Sequence, residues 1–375
     1  MDPLPGCAIH DHFADLPDPR IDRAKRHDLL AVVTIAGCGV ICGADSWVEI
    51  ERFGRAKRSW LETLVPLPNG IPSHDTFGRV FAALDPTAFE RAFLGWVQGL
   101  VTLTEGAVVA IDGKTLRRSH DRPRGREALH LVSAWATANH VVLGQVATDD
   151  HSNEITAIPA LLEVLALEGT VITFDALGCQ TAIAGQIVAG TGDYVLALKD
   201  NHPTLHELVA HHFAVTTALP DAQETTHRTV GKDHGRLEIR TCRPTANPAV
   251  LAWLDPERAW PGLRSIAAVT GERRLGDTVT REARYYLSSL PDATRVGEAV
   301  RAHWGIESGL HWVLDVAFRE DESRVRSGHA AENLAVVRHL APSLLRREAT
   351  AKVGIKARRL MGDWDETCLA KVLAA

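Results

Sequence analysis

A chain of 375 residues is long enough for two or three domains and a substantial buried core. With 45% hydrophobic and 23% charged residues it has the composition of a soluble globular protein, which excludes a disordered chain. The formal charge of −6 speaks against indiscriminate nucleic-acid binding and leaves phosphate contacts to local basic patches.

The chain opens with Cys7, His10 and His12, read as a mobile terminus rather than a metal site, with no secretory leader. Residues 1–104 then read as a helical region, with apolar positions at helical spacing in 28–42, 46–64, 73–84 and 87–103. Leu29 to Ala44 is apolar but too short to span a bilayer, which predicts a buried helix with Cys38 and Cys42 in its core. The six cysteines are scattered without a CxxC, a pattern that fits a reducing cytosol. Ser73 is a plausible helix cap, and the helices on either side of Asp85–Pro86 form a candidate helix-turn-helix for DNA.

From Ala107 the pattern becomes α/β. Val108 to Ile111 is a short apolar run that ends at Asp112, and Val171 to Phe174 is another that ends at Asp175. Two further strands at 128–138 and 141–148 suggest antiparallel pairing, and Tyr194 to Leu198 is a strand ending at Lys199–Asp200. Residues 105–203 thus form a first core segment. Residues 204–292 read as a β-rich insertion, with strands at 237–242, 263–270 and 281–287. Residues 293–375 are helical again, ending in a basic region.

Active sites of open α/β sheets gather beyond strand ends. Asp112 and Asp175 are therefore candidates to face one another, although either alone reads better as the start of a turn. Glu307 lies on a predicted helix between His303 and His311, all on one face. Converging carboxylates repel unless cations intervene, and hard oxygen ligands suit Mg²⁺ or Mn²⁺. Basic clusters occur at 52–58, 114–126 and 338–359, each of which taken singly reads as a solvated face. Lys114, Arg117 and Arg118 follow the first strand and are candidates for holding phosphate, as are Lys199 and Asn201 after a later one. Trp253 and Trp260 are candidates for stacking on an extruded base, with packing the simpler role.

At these residues the sequence resembles the ISAs1 (H-repeat-associated) family of insertion-sequence transposases, of the DDE type and IS4-like. The matching text is Val109-Ala-Ile-Asp-Gly-Lys-Thr-Leu-Arg-Arg-Ser119, Ser152-Asn-Glu-Ile155 and Thr173-Phe-Asp-Ala-Leu-Gly-Cys-Gln180. It continues with Asp193-Tyr-Val-Leu-Ala-Leu-Lys199, His234-Gly-Arg236, His303-Trp-Gly-Ile-Glu307, Leu310-His-Trp-Val-Leu-Asp-Val316 and Phe318-Arg-Glu-Asp321. The resemblance implies an RNase H-like core, a mixed five-stranded sheet flanked by helices, with Asp112, Asp175 and Glu307 as the catalytic, metal-holding triad. It implies Mg²⁺-dependent cutting at terminal inverted repeats and joining of 3′-hydroxyl ends to target DNA. It also implies a homodimer at synapsis, end recognition by the N-terminal region, and a cytoplasmic protein bound to the nucleoid. IS4-like enzymes carry Tyr, Arg and Lys around the glutamate where this chain has Val300, His303 and Leu314, so Arg301, His303 and His311 are the candidate replacements. Two alternatives remain at this point: a catalytically silent DNA-binding remnant, and a metal-dependent nuclease without strand joining.

Overall fold

The computed structural model describes residues 11–100, 103–121, 125, 127–148, 154–217, 225–233 and 235–374. Cys7, His10, Arg122, Arg124, Arg126, Ser152, Asn153 and His234, which the sequence reading invoked, lie outside these residues.

The chain begins with α1 (Leu29–Ile41), α2 (Trp47–Ala56), α3 (Arg58–Leu61), α4 (His74–Ala83) and α5 (Pro86–Leu100). Helix α1 is apolar on nearly every side, and it is buried as the sequence predicts. The Asp28 carboxylate accepts from Leu30 N at its start, and Gly43 ends it at a φ of 102°, which glycine adopts without strain. Ser73 caps α4 by accepting from Thr76 N, as expected.

Strands β1 (Val108–Thr115), β2 (His130–Ala136) and β3 (Val141–Thr148) form an antiparallel unit. Helix α6 (Glu154–Val164) leads to β4 (Val171–Phe174), and α7 (Thr181–Ala189) leads to β5 (Asp193–Leu198). Both β4 and β5 run parallel to β1. Then come α8 (Pro203–Thr217), β6 (His227–Asp233), β7 (Arg236–Thr245), α9 (Pro248–Leu254), β8 (Ser265–Leu275) and β9 (Thr278–Ser288). The sheet order is β3-β2-β1-β4-β5-β9-β8-β7-β6.

The expected five-stranded sheet is therefore corrected to nine strands. The β-rich stretch does not form a sheet of its own: β9 pairs antiparallel with β5, from Val195↔Ser288 to Leu198↔Tyr285. An outer β5 would leave a row of backbone groups unpaired, and β9 satisfies them. Strand β6 escaped the sequence reading because its residues, His-Arg-Thr-Val-Gly-Lys-Asp, carry no apolar alternation.

The chain ends with α10 (Ala293–Ile306), α11 (Trp312–Phe318), α12 (Ala330–Arg347), α13 (Ile355–Trp364) and α14 (Glu366–Ala374). One face of the sheet packs on α6, α7 and α8. On the other, α10 covers the central strands, while α1, α4, α5, α11, α12 and α14 build one shared core with Trp135 and Val142. The solvated face expected at 338–359 is corrected here. Arg338 and Arg359 are 1% and 3% exposed, and Arg359 donates to Asp45 Oδ1 and Val40 O, each at 2.8 Å. Arg359 also lies 4.0 Å from the centre of the Phe318 ring, so these cations join the two ends of the chain. Among the described residues no helix is long and apolar enough to cross a membrane.

Candidate metal centre and its groove

Strand β1 does not stop at Ile111, as its apolar run suggests. It continues through Asp112, paired with Ser133 of β2, to Thr115. Its other neighbour β4 does stop, at Phe174, opposite Ile111. Beyond that pair β1 has a partner on one side only, and a crevice opens where Asp112 and Asp175 follow in register. Asp112 thus sits inside a strand at the rim of the crevice, held more rigidly than a residue on a turn.

The third carboxylate arrives on a helix irregularity that the sequence does not reveal. After α10 the residues Glu307–His311 form a π turn, in which Trp312 N donates to Glu307 O. Such one-turn widenings are frequent at functional sites. Here the turn directs both of its terminal side chains at β1: His311 Nδ1 lies 3.4 Å from Asp112 Oδ2 and 3.7 Å from Glu307 Oε2. One ligand atom each from Asp112, Glu307 and His311 lies within 4.8 Å of the others. The His311 side chain is 8% exposed, and its Nε2 has no hydrogen-bond partner.

Burial pushes the Asp112 carboxyl well above the ordinary carboxylate range; the charges of Glu307, Asp175 and Glu154 push the same way and His311 opposes them. Glu307 is held below its ordinary value, first by its hydrogen bond to His311. A buried carboxylate crowded by like charge favours a nearby cation. Two carboxylate oxygens and an imidazole nitrogen form a donor set that fits a divalent metal ion.

Asp175 lies apart from this close group. Its Oδ1 accepts from Leu177 N at 2.9 Å, in the turn leading to α7. Its charge still acts on Asp112, and it lines a cavity of about 460 Å³ with Asp112, Glu307, Lys199 and His303. Burial raises its pKa as well.

The expected phosphate-holding residues divide. Lys199 is exposed at the end of β5 and lines the same cavity. Arg301 is exposed on α10 and lines the adjoining groove. Arg117 and Arg118 are exposed; Arg117 Nε is 3.1 Å from Asp321 Oδ2. Asn201 is turned away, its amide donating to Ala176 O. His303 is no cation: burial brings its pKa down to about 4, and its Nδ1 lies 2.9 Å from Thr173 Oγ1. Lys114 is committed to three carboxylates, Asp315, Glu320 and Asp321. Trp260 is buried against His202, which fits packing, whereas Trp253 is 51% exposed on α9.

Two features escaped the sequence reading. Glu154 lies in a matched motif without an assigned role, and its Oε1 is 2.9 Å from His130 Nε2. It stands so close to β1 that a β-carbon on Gly113 would collide with its Oε1. The second is a groove of about 680 Å³ along β6–β9 that runs to Glu307. Arg236, Arg240, Arg273, Arg281, Arg284 and Arg301 line it, with fewer carboxylates. At its inner end the Arg284 guanidinium lies 4.4 Å from the centre of the half-exposed Trp304 ring.

Comparison with known proteins identifies the family. The family description "Transposase DDE domain" matches residues 104–343, and "DDE_Tnp_1-associated" matches residues 10–97. The chain belongs to the DDE-domain transposase family. Within it, the chain is 39% identical to "Putative transposase YncI" of Escherichia coli O157:H7, over 98% of this chain and 95% of that one. It is 36% identical to "H repeat-associated putative transposase YhhI" of Escherichia coli strain K12, over 98% and 97% of the two chains. Among solved structures, a piggyBac transposase synaptic complex with hairpin DNA aligns at 10% identity and a TM-score of 0.41, covering 99% of this chain and 78% of that one.

Proposed function

We propose that this protein is the DNA transposase of an insertion sequence, which cuts at terminal inverted repeats and joins the freed 3′-hydroxyl ends to target DNA. The observation that carries the reading is the convergence of Asp112, Glu307 and His311 at the rim of a crevice that Asp175 also lines. In this reading Asp112, Asp175 and Glu307 hold Mg²⁺ or Mn²⁺ on an RNase H-like core. Support for that core is the order β3-β2-β1-β4-β5, with β4 and β5 parallel to β1. Divalent ions at such a site would activate the attacking oxygen and stabilise the leaving one. The protein's own part is to hold the DNA backbone against the carboxylates. Lys199 and the arginine groove ending at Trp304 suit that task through charge, without reading sequence. End recognition falls to the N-terminal helices, and pairing of two ends calls for a homodimer on DNA, in the cytoplasm where the nucleoid lies.

The test is incubation of purified protein with labelled end-repeat DNA and Mg²⁺ or Mn²⁺. Nicking at the repeat boundary and joining to a target are expected, and both disappear in Asp112→Asn. Nicking without joining would make the protein a nuclease. No reaction at all, with wild type and Asp112→Asn alike, would leave a DNA-binding remnant.

A further inference from the structure

Lys114 follows Asp112 by two residues on β1, so their side chains leave the same face of the strand. Asp315 follows His311 by four residues, one helical turn further along. The two pairs meet rung to rung: Asp112 Oδ2 is 3.4 Å from His311 Nδ1, and Lys114 Nζ is 2.8 Å from Asp315 Oδ1. The second rung is reinforced by the turn Glu320–Glu322, which the chain enters through Arg319 at a φ of 50°. That turn brings Asp321 Oδ1 to 3.1 Å and Glu320 Oε2 to 3.2 Å from the same ammonium. Lys114 is 10% exposed and Glu320 is fully buried. Lys114 Nζ donates to Asp321 Oδ1 and lies within ion-pair distance of Asp315 and Glu320, so its charge is spent on three carboxylates rather than on a phosphate.

We propose that Lys114 is a positioning residue for the metal centre: by clamping β1 to α11 and the turn after it, it sets the distance between Asp112 and the Glu307–His311 turn. The proposal rests on the reading that these residues hold a divalent cation. A lysine two residues past a carboxylate would otherwise be taken as a backbone-phosphate contact, and the two roles predict opposite outcomes. Removing a clamp loosens the ligands and weakens metal binding. Merely deleting a positive charge near Asp112 would strengthen it.

The test compares wild type with Lys114→Met, Lys114→Gln and Lys114→Arg. Mn²⁺ binding is followed by electron paramagnetic resonance without DNA. Binding to an end-repeat duplex is titrated with salt in the presence of EDTA. Loss of support around a metal site lowers affinity by up to roughly 10–100-fold, and a loss within that range is expected for both neutral variants, with most of it recovered in Lys114→Arg. The salt dependence of DNA binding is expected to stay unchanged. Unchanged or tighter Mn²⁺ binding in the neutral variants would overturn the proposal. So would a DNA-binding salt slope shallower by about 0.9, the signature of one lost phosphate contact. If Lys114→Met does not fold, Lys114→Gln, which retains a donor, decides. Failure of the wild type itself to bind Mn²⁺ would refute the metal reading, and the proposal with it, and is distinguished by needing no variant.

Discussion

Thr173 on β4 and His303 on α10 are joined by a 2.9 Å hydrogen bond, although 130 residues separate them. Thr173 lies two residues before Asp175, and His303 lies one helical turn before Glu307. The bond therefore ties the strand that ends at one carboxylate to the helix that delivers another. Thr173→Val keeps the side-chain shape and leaves the imidazole unpaired, which is expected to destabilise by about 1–3 kcal/mol in chemical denaturation. Adding His303→Phe removes both polar partners and should recover part of that loss. A double variant as unstable as the sum of its singles would mean that the pair is not coupled.

Asp112→Asn and Glu307→Gln each remove a charge from the close group. Both are expected to lose Mn²⁺ binding in calorimetry and to slow cleavage by at least about a hundredfold, while metal-free DNA binding stays intact. Retention of metal affinity by Glu307→Gln would mean that Asp112 and His311 suffice.

The groove along β6–β9 makes a separate prediction. Arg273→Ala and Arg301→Ala should each weaken duplex binding and reduce the steepness of its salt dependence by up to about 0.9. The effect should be the same for any DNA sequence. A loss confined to end-repeat DNA would instead mean that the groove reads bases.

Glu90 allows a stability prediction away from the site. It accepts from Gln145 N at 2.7 Å, and burial raises its pKa from 4.5 to about 7, with Glu332 adding to the effect. The folded state then binds the proton more tightly than the unfolded state does. Stability accordingly falls as pH rises from 4.5 through about 7. Glu90→Gln keeps the acceptor and removes the charge. It should raise stability by up to about 3 kcal/mol at pH 8 and by very little at pH 4.5. Equal effects at both values would exclude this linkage.

Much of the sheet was legible because β1, β4 and β5 are buried on both faces and leave unbroken apolar runs. Their ends were less legible. The run at Val108–Ile111 records where burial stops, whereas pairing with β2 carries the strand four residues further. The π turn at Glu307 left no trace, since its residues also fit a regular helix with Glu307 and His311 on one face. Charged residues misled most. Lys114 read as a phosphate contact, and Arg338 and Arg359 as solvated cations, because nothing local marks the distant carboxylates and carbonyls that hold them. Glu154 lay within a matched motif, but only folding shows that it crowds Gly113.

The shared core of the two chain ends has a consequence for synthesis. Helix α1 is apolar on nearly every side, and α12, which packs against it, leaves the ribosome only after the whole nine-stranded sheet. At roughly 5–20 residues/s the first helix waits about 15–60 s for its partner. During that interval the nascent polypeptide is a client for chaperones. A reading frame cut short before α12 would encode the carboxylates and still yield no stable product.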